Sequence, residues 1–192
     1  MDASILYGIQ DALGSPALDA FFPYFTMLGE AGAIWVAIAV GMLFSRKWRF
    51  WGICIIVALL LTLVVNELCL KHLVERIRPY IALGFDSIML DNPTSYSFPS
   101  GHAGCSFAAA TVIALSPAKR YWKVVVWVLA LLICFSRLYL FAHYPSDVLV
   151  GAILGTIYAL IAVKVGLAIR KKRKGSASGD ASGGASGKHA AV

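Results

Sequence analysis

Charge is what this sequence has least of. Only 14% of its 192 residues are Asp, Glu, Lys or Arg, against roughly a quarter in soluble domains. So sparse a set cannot clothe a water-soluble surface, and a soluble core of this length cannot absorb 59% hydrophobic residues. There is room for one domain and little more. The first 24 residues hold no Lys or Arg, so the basic start of a cleavable signal peptide is missing. Cysteine is scarce too. Cys54, Cys69, Cys105 and Cys134 all fall in apolar runs without metal-ligand spacing, so they point to neither a disulfide framework nor a zinc site.

What the chain does have is long apolar runs. Five of them, at roughly 25–44, 51–70, 101–116, 122–141 and 147–168, approach the ~20 residues that a membrane helix needs. They predict an all-α fold, a polytopic membrane bundle of five to six transmembrane helices. Residues 25–168 form the membrane-embedded domain. In the N-terminal region, 1–24, Ile5, Leu6, Ile9 and Leu13 recur at helical spacing opposite Asp2, Gln10 and Asp11, as in an amphipathic helix lying on the membrane surface. Residues 169–192 form a basic tail whose Gly, Ser and Ala from Gly175 onward predict disorder.

The net charge of +7 invites a nucleic-acid partner, but its distribution argues against one. Arg46–Arg49, Lys119–Lys123 and Arg170–Lys174 follow the first, third and fifth runs, and clustered Lys and Arg mark cytoplasmic loops. The expected topology is N-terminus out and C-terminus in, in the cell membrane.

That topology sorts the polar residues. Glu67, Lys71, Arg76 and Arg78 end the second run. Ser100, Gly101 and His102 open the third, and Arg137, His143 and Asp147 bridge the fourth and fifth. All reach the outer face. Titratable groups persist near a bilayer mainly where they face one another or a wet cavity. Glu67 precedes Lys71 by four residues, a favourable helical pairing. Pro79 is expected to end the second helix. The turn-rich segment after it, with Gly84, Asp86, Asn92, Pro93, Ser95 and Ser97, has the length of a functional loop. Pro99, Ser100 and Gly101 are cap chemistry, and a helix N-terminus offers an anion free N–H groups and a positive dipole end.

Three cations, a helix N-terminus and two histidines suit a phosphoryl group. Arg78 and Arg137 offer bidentate forks, Lys71 a point charge, and Ser100 and Gly101 further donors. One histidine can attack while the other protonates the leaving oxygen. Asp147, four residues after His143, can orient its imidazole. His143 is therefore assigned as nucleophile, Asp147 as its partner and His102 as general acid. Arg76, His72 and Glu75, on the same stretch as Lys71, read as interfacial residues, and so does Glu30.

Three motifs now stand in order: KHLVERIRP from Lys71 to Pro79, PSGH from Pro99 to His102, and SRLYLFAHYPSD from Ser136 to Asp147. In them the chain resembles the type 2 phosphatidic acid phosphatases, integral-membrane lipid phosphatases related to vanadium haloperoxidases and glucose-6-phosphatase. Every fixed position matches. The resemblance implies a six-helix core, a phosphohistidine intermediate on His143 and phosphate ligands at Lys71, Arg78, Ser100, Gly101, His102 and Arg137. It also implies no metal or other cofactor. The expected activity is hydrolysis of a lipid phosphate or diphosphate at the outer face, with undecaprenyl diphosphate recycling as one candidate. Phosphatidylglycerophosphate and phosphatidic acid are others. A lipid-phosphate binding or transport protein would need the cations but not the histidines. An intramembrane serine protease using Ser100 would leave Lys71, Arg78 and Arg137 without work.

Overall fold

The computed structural model describes residues 2–85 and 95–183, with side chains as far as Arg173. Among these residues all regular structure is helical. Helix α1 (Asp2–Leu13) leads into α2 (Pro16–Met27), whose start follows from its sequence. Ser15 Oγ accepts the Leu18 N–H at 3.4 Å, and Pro16 lacks the N–H that a first turn leaves unpaired.

A 3-10 turn at Glu30–Gly32 joins α2 to α3 (Ala33–Leu43), and the two helices are bent by 44°. The break falls inside the apolar run read as one span over 25–44. Its cause is local, because Ala31 (φ 47°) and Gly32 (φ 71°) take left-handed conformations that interrupt the helical ladder.

Helix α4 (Arg49–Leu61) continues through a π-helical segment, Thr62–Leu70, into α5 (Lys71–Val74). Glu75, at φ 50°, ends that rod before Pro79 is reached. Pro79 instead opens the short α6 (Pro79–Ala82), where a missing N–H costs nothing. Of the turn-rich segment that follows, residues 86–94 lie outside the described residues.

Helices α7 (Gly101–Leu115), α8 (Arg120–Tyr139) and α9 (Pro145–Gly183) complete the bundle. The Gly, Ser and Ala stretch expected to be disordered continues α9 to Gly183. No proline interrupts it, and extending a helix is far easier than nucleating one. Residues 184–192 lie outside the described residues.

Segments Arg49–Ala82, Arg120–Tyr139 and Pro145–Arg173 are long and apolar enough to cross a membrane, and the bent α2–α3 pair makes a fourth candidate. Their outward side chains, Leu131, Leu149, Ile153 and Val165 among them, are half exposed or more, as on a lipid-facing surface. Helix α7 is different. Its 15 residues span about 22 Å, less than the ~30 Å hydrocarbon core, and it packs against α4, α8 and α9. A short central helix brings its N-terminus, and with it His102, into the bundle.

Backbone contact between α7 and α9 fixes the site. A Cβ added at Gly155 would overlap the Gly104 carbonyl oxygen, and one at Gly151 the Ser100 carbonyl. Glycine at both positions lets the helices touch main chain to main chain. The Ser100 N–H thereby reaches the Asp147 carbonyl at 3.1 Å. The variant Gly155→Val is expected to force these helices apart and cost about 1–3 kcal/mol. A lowered thermal midpoint in detergent would register it.

Candidate active site

Three segments far apart in sequence meet around one cavity of about 600 Å³: the stretch from α5 to α6, the start of α7, and the turn between α8 and α9. The cavity is two-sided in character. Lys71, Arg78, Arg137, Gly101, His102 and His143 line its polar end, while Val36, Val40, Ile56, Leu59, Leu60 and Leu63 form an apolar wall on α3, α4 and the π segment.

His143 sits in the turn before α9 and is 1% exposed. Its Nδ1 lies 2.7 Å from the Ser97 carbonyl oxygen. A carbonyl can only accept, so Nδ1 carries the proton and Nε2 keeps the lone pair. Nε2 faces Arg78 Nη1 at 3.4 Å, on the cavity side. Burial, followed by the positive charges of Arg78, Arg137 and Lys71, holds the His143 pKa well below the ordinary histidine range. The imidazole is neutral at pH 7, as a nucleophile must be.

Asp147 is fully buried but does not hydrogen-bond to His143 directly. The Oδ2 to Nδ1 separation is 3.8 Å, which replaces the direct contact expected from their spacing. Instead Oδ2 accepts from Ser97 Oγ at 2.5 Å and the Tyr144 N–H at 2.9 Å. Ser97 is thus the link, accepting from His143 with its carbonyl and donating to Asp147 with its hydroxyl.

The cations are held in different ways. Arg78 donates from Nε to the Ser95 carbonyl at 2.6 Å and from Nη1 to the Ala142 carbonyl at 2.9 Å, which fixes the plane of its fork. Arg137, 3% exposed, donates from Nη1 to Thr26 Oγ1 at 2.8 Å, and its Nε has no partner among the described residues. Lys71 Nζ pairs with Glu67 at 2.7 Å, as the i,i+4 spacing predicts.

At the helix end, Gly101 makes room for the Glu67 carboxylate, which a Cβ there would overlap. Ser100 is buried, and its Oγ caps α7 by accepting the Ala103 N–H at 3.4 Å. It does not line the cavity. His102 Nε2 is buried and has no hydrogen-bond partner among the described residues, and Glu30 Oε2 lies 3.6 Å away. Two imidazoles, three cations and a helix N-terminus therefore surround one space. The arrangement can receive a tetrahedral anion with a nucleophilic nitrogen and a second imidazole facing it. Among the described residues no group of three or more His, Cys, Asp or Glu is placed to hold a metal ion.

Residues 51–171, more than half of the chain, match the PAP2 superfamily. The chain belongs to that superfamily. The undecaprenyl-diphosphatase of Sulfolobus acidocaldarius is 27% identical over 132 residues, 69% of this chain and 63% of that protein. This chain therefore spans less than two thirds of that relative. The decaprenylphosphoryl-5-phosphoribose phosphatase of Mycobacterium tuberculosis is 31% identical over 180 residues, covering 90% of this chain and 95% of the relative. The crystal structure of Aquifex aeolicus LpxE superposes with a TM-score of 0.70 at 30% identity, over 85% of this chain and 94% of that one. With its membrane-length helices, this PAP2 protein is a multi-pass membrane protein.

The PAP2 match covers α4 to α9 and so every sequence-assigned site residue. It omits Thr26 and Glu30, which α2 and the following break bring to Arg137 and His102. Thr26 had no assignment from the sequence, Glu30 and Arg76 had read as interfacial, and Ser95 and Ser97 as turn residues. Glu30 carried a signal, being a lone carboxylate beside an apolar run. Arg76 carried another, as a second arginine two positions before Arg78. Ser95 and Ser97 resemble ordinary turn residues and gave none.

Proposed function

We propose that this PAP2 protein hydrolyses the terminal phosphate or diphosphate of a polyprenyl-linked lipid, without a metal ion, through a phosphohistidine on His143. One observation carries the reading: a single cavity joins the cationic end to an apolar wall. A phosphate ester with a long apolar tail matches both halves. The names of the Sulfolobus and Mycobacterium relatives favour a polyprenyl carrier, and undecaprenyl diphosphate is the candidate for recycling.

In the first step the Nε2 lone pair of His143 attacks phosphorus. The bond from phosphorus to the lipid oxygen breaks, and that oxygen takes the proton of His102. Arg78, Arg137 and Lys71 stabilise the charge on the equatorial oxygens, with the Gly101 N–H adding a donor. In the second step water attacks the phosphoramidate and gives its proton to His102. The nitrogen–phosphorus bond breaks, releasing inorganic phosphate and neutral His143. Three side-chain cations supply the electrostatic role that a metal has in other phosphatases. The Lys and Arg clusters at 46–49, 119–123 and 170–174 support an outward-facing site and a cytoplasmic C-terminus in the cell membrane.

Purified protein in detergent is expected to release phosphate with EDTA present, and orthovanadate should inhibit it. The panel is polyprenyl diphosphate, a polyprenyl-linked phosphosugar, phosphatidylglycerophosphate and phosphatidic acid. Highest kcat/KM on a polyprenyl member supports the reading. Preference for a glycerophospholipid reassigns the substrate, and loss of all activity in EDTA overturns metal independence.

A further inference from the structure

The arginine at position 76 has no place in the proposed chemistry, yet it is the most heavily engaged side chain around Asp147. It does not line the cavity. Its Nη1 donates to Asp147 Oδ1 at 2.5 Å and to Ser146 Oγ at 2.7 Å, while Nη2 donates to Asp2 Oδ2 at 2.9 Å. The guanidinium lies over the Tyr144 ring, 3.9 Å from its centroid. Ser146 Oγ in turn donates to Asp2 Oδ2 at 2.5 Å. Both terminal nitrogens are therefore engaged, Nη1 by Ser146 and a carboxylate of the site, Nη2 by a carboxylate of the N-terminal helix.

We propose that Arg76 is a positioning residue that holds the Asp147 carboxylate in register with Ser97 and His143, and that Asp2 on α1 completes this clamp. The physical need is plain. Asp147 is a fully buried carboxylate, and a buried charge without an opposite partner is costly. His143 does not meet that need, since its ring is neutral and 3.8 Å away. Arg76 does, on the oxygen that Ser97 leaves free. Asp2 then keeps the guanidinium from turning outward. Hydrogen bonds from Ser146 and then from Arg76 hold the Asp2 pKa below the usual carboxylate range, so Asp2 stays ionised.

The clamp reaches beyond residues 51–171 that match the PAP2 superfamily, because it includes Asp2 on α1. Helix α1 is tied down nearby as well, with Leu6 fully buried and Tyr7 set edge-on against Phe141. The N-terminal helix is thus a structural part of the site and not only a membrane-surface element.

The proposal rests on the phosphatase reading above, and its test separates the two. Phosphate release is measured for the full chain and for Arg76→Gln, Arg76→Lys, Asp2→Asn, Asp147→Asn and the double variant Arg76→Gln/Asp147→Asn. Arg76→Gln is expected to lower kcat roughly 10- to 100-fold with KM nearly unchanged, the scale of a small misplacement of reacting groups. Arg76→Lys should recover part of the loss, and Asp2→Asn should lose a few-fold. The double variant should be no slower than Asp147→Asn alone, because Arg76 acts through that carboxylate. Wild-type kcat in Arg76→Gln overturns the proposal. So does a raised KM at constant kcat, which would put Arg76 on the substrate, and so do losses that multiply in the double variant. If Arg76→Gln fails to fold, unchanged kcat in the milder Asp2→Asn overturns the clamp. Wild-type protein inactive on the whole lipid panel overturns the phosphatase reading first and this proposal with it.

Discussion

Replacing His143 with alanine is expected to abolish phosphate release, with kcat falling on the order of 10⁴-fold or more, the scale on which enzymes lose a nucleophile. The geometry gives the reason. The Ser97 carbonyl takes the Nδ1 proton, and the remaining lone pair points into the cavity beside Arg78. The other imidazole lining the cationic end is His102. Its Nε2 has no hydrogen-bond partner among the described residues and lies 3.6 Å from Glu30 Oε2. Acid-sensitive, base-stable label from a ³²P-substrate should be trapped on wild-type protein and be absent from His143→Ala.

The pH dependence follows with a definite sign. A pKa held below the ordinary 6.5 leaves His143 unprotonated through the neutral range. The limb of kcat/KM that reports its protonation should therefore lie on the acid side of that value. Full activity in His143→Ala, or label retained by it, would remove His143 from the nucleophile role.

Much of the cavity's polar lining could be picked out from residues alone, because a site proposed for phosphate constrains residue type strongly. Lys71, Arg78, His102, Arg137 and His143 line the cavity, as their placement at run ends on one face led one to expect. Two assignments changed in detail. Ser100 turned out to cap α7 away from the cavity, since a side chain satisfying the Ala103 N–H is held at the helix start. Asp147 reaches His143 only through Ser97, because the i,i+4 rule assumes both residues are helical, whereas His143 precedes the first turn of α9.

Other features were hidden for a different reason. The bend between α2 and α3 depends on left-handed Ala31 and Gly32, and alanine gives no warning of that conformation. The partnership of Arg76 with Asp2 joins residues 74 positions apart, and local pattern carries no record of such a contact. Helix α7 was visible as a shorter run, and its shortness has a structural meaning. A central helix packed by Ala103, Ala108, Ala109 and Ala110 can sit deep among its neighbours and still present its N-terminus to the cavity.

That N-terminus sets up the second large effect. His102→Ala is expected to lose about 10²- to 10⁴-fold in kcat on a lipid phosphomonoester, the usual contribution of a general acid. The same variant should lose far less on p-nitrophenyl phosphate. A lipid alkoxide departs poorly without a proton, whereas nitrophenolate is stable as an anion and needs none. The positions of the rings support this division of labour. His143 is spent as the nucleophile through Nε2, while His102, whose ring is held by a backbone hydrogen bond at Thr26, has a buried Nε2 with no hydrogen-bond partner among the described residues. Glu30 Oε2, 3.6 Å from that nitrogen, belongs to a largely exposed side chain. Plotting log kcat against leaving-group pKa should give a steeper slope for His102→Ala than for wild type, because an unprotonated oxygen carries the full charge as the bond breaks. Equal losses on both substrates, with parallel slopes, would mean that His102 holds the phosphate and the leaving oxygen draws its proton from elsewhere.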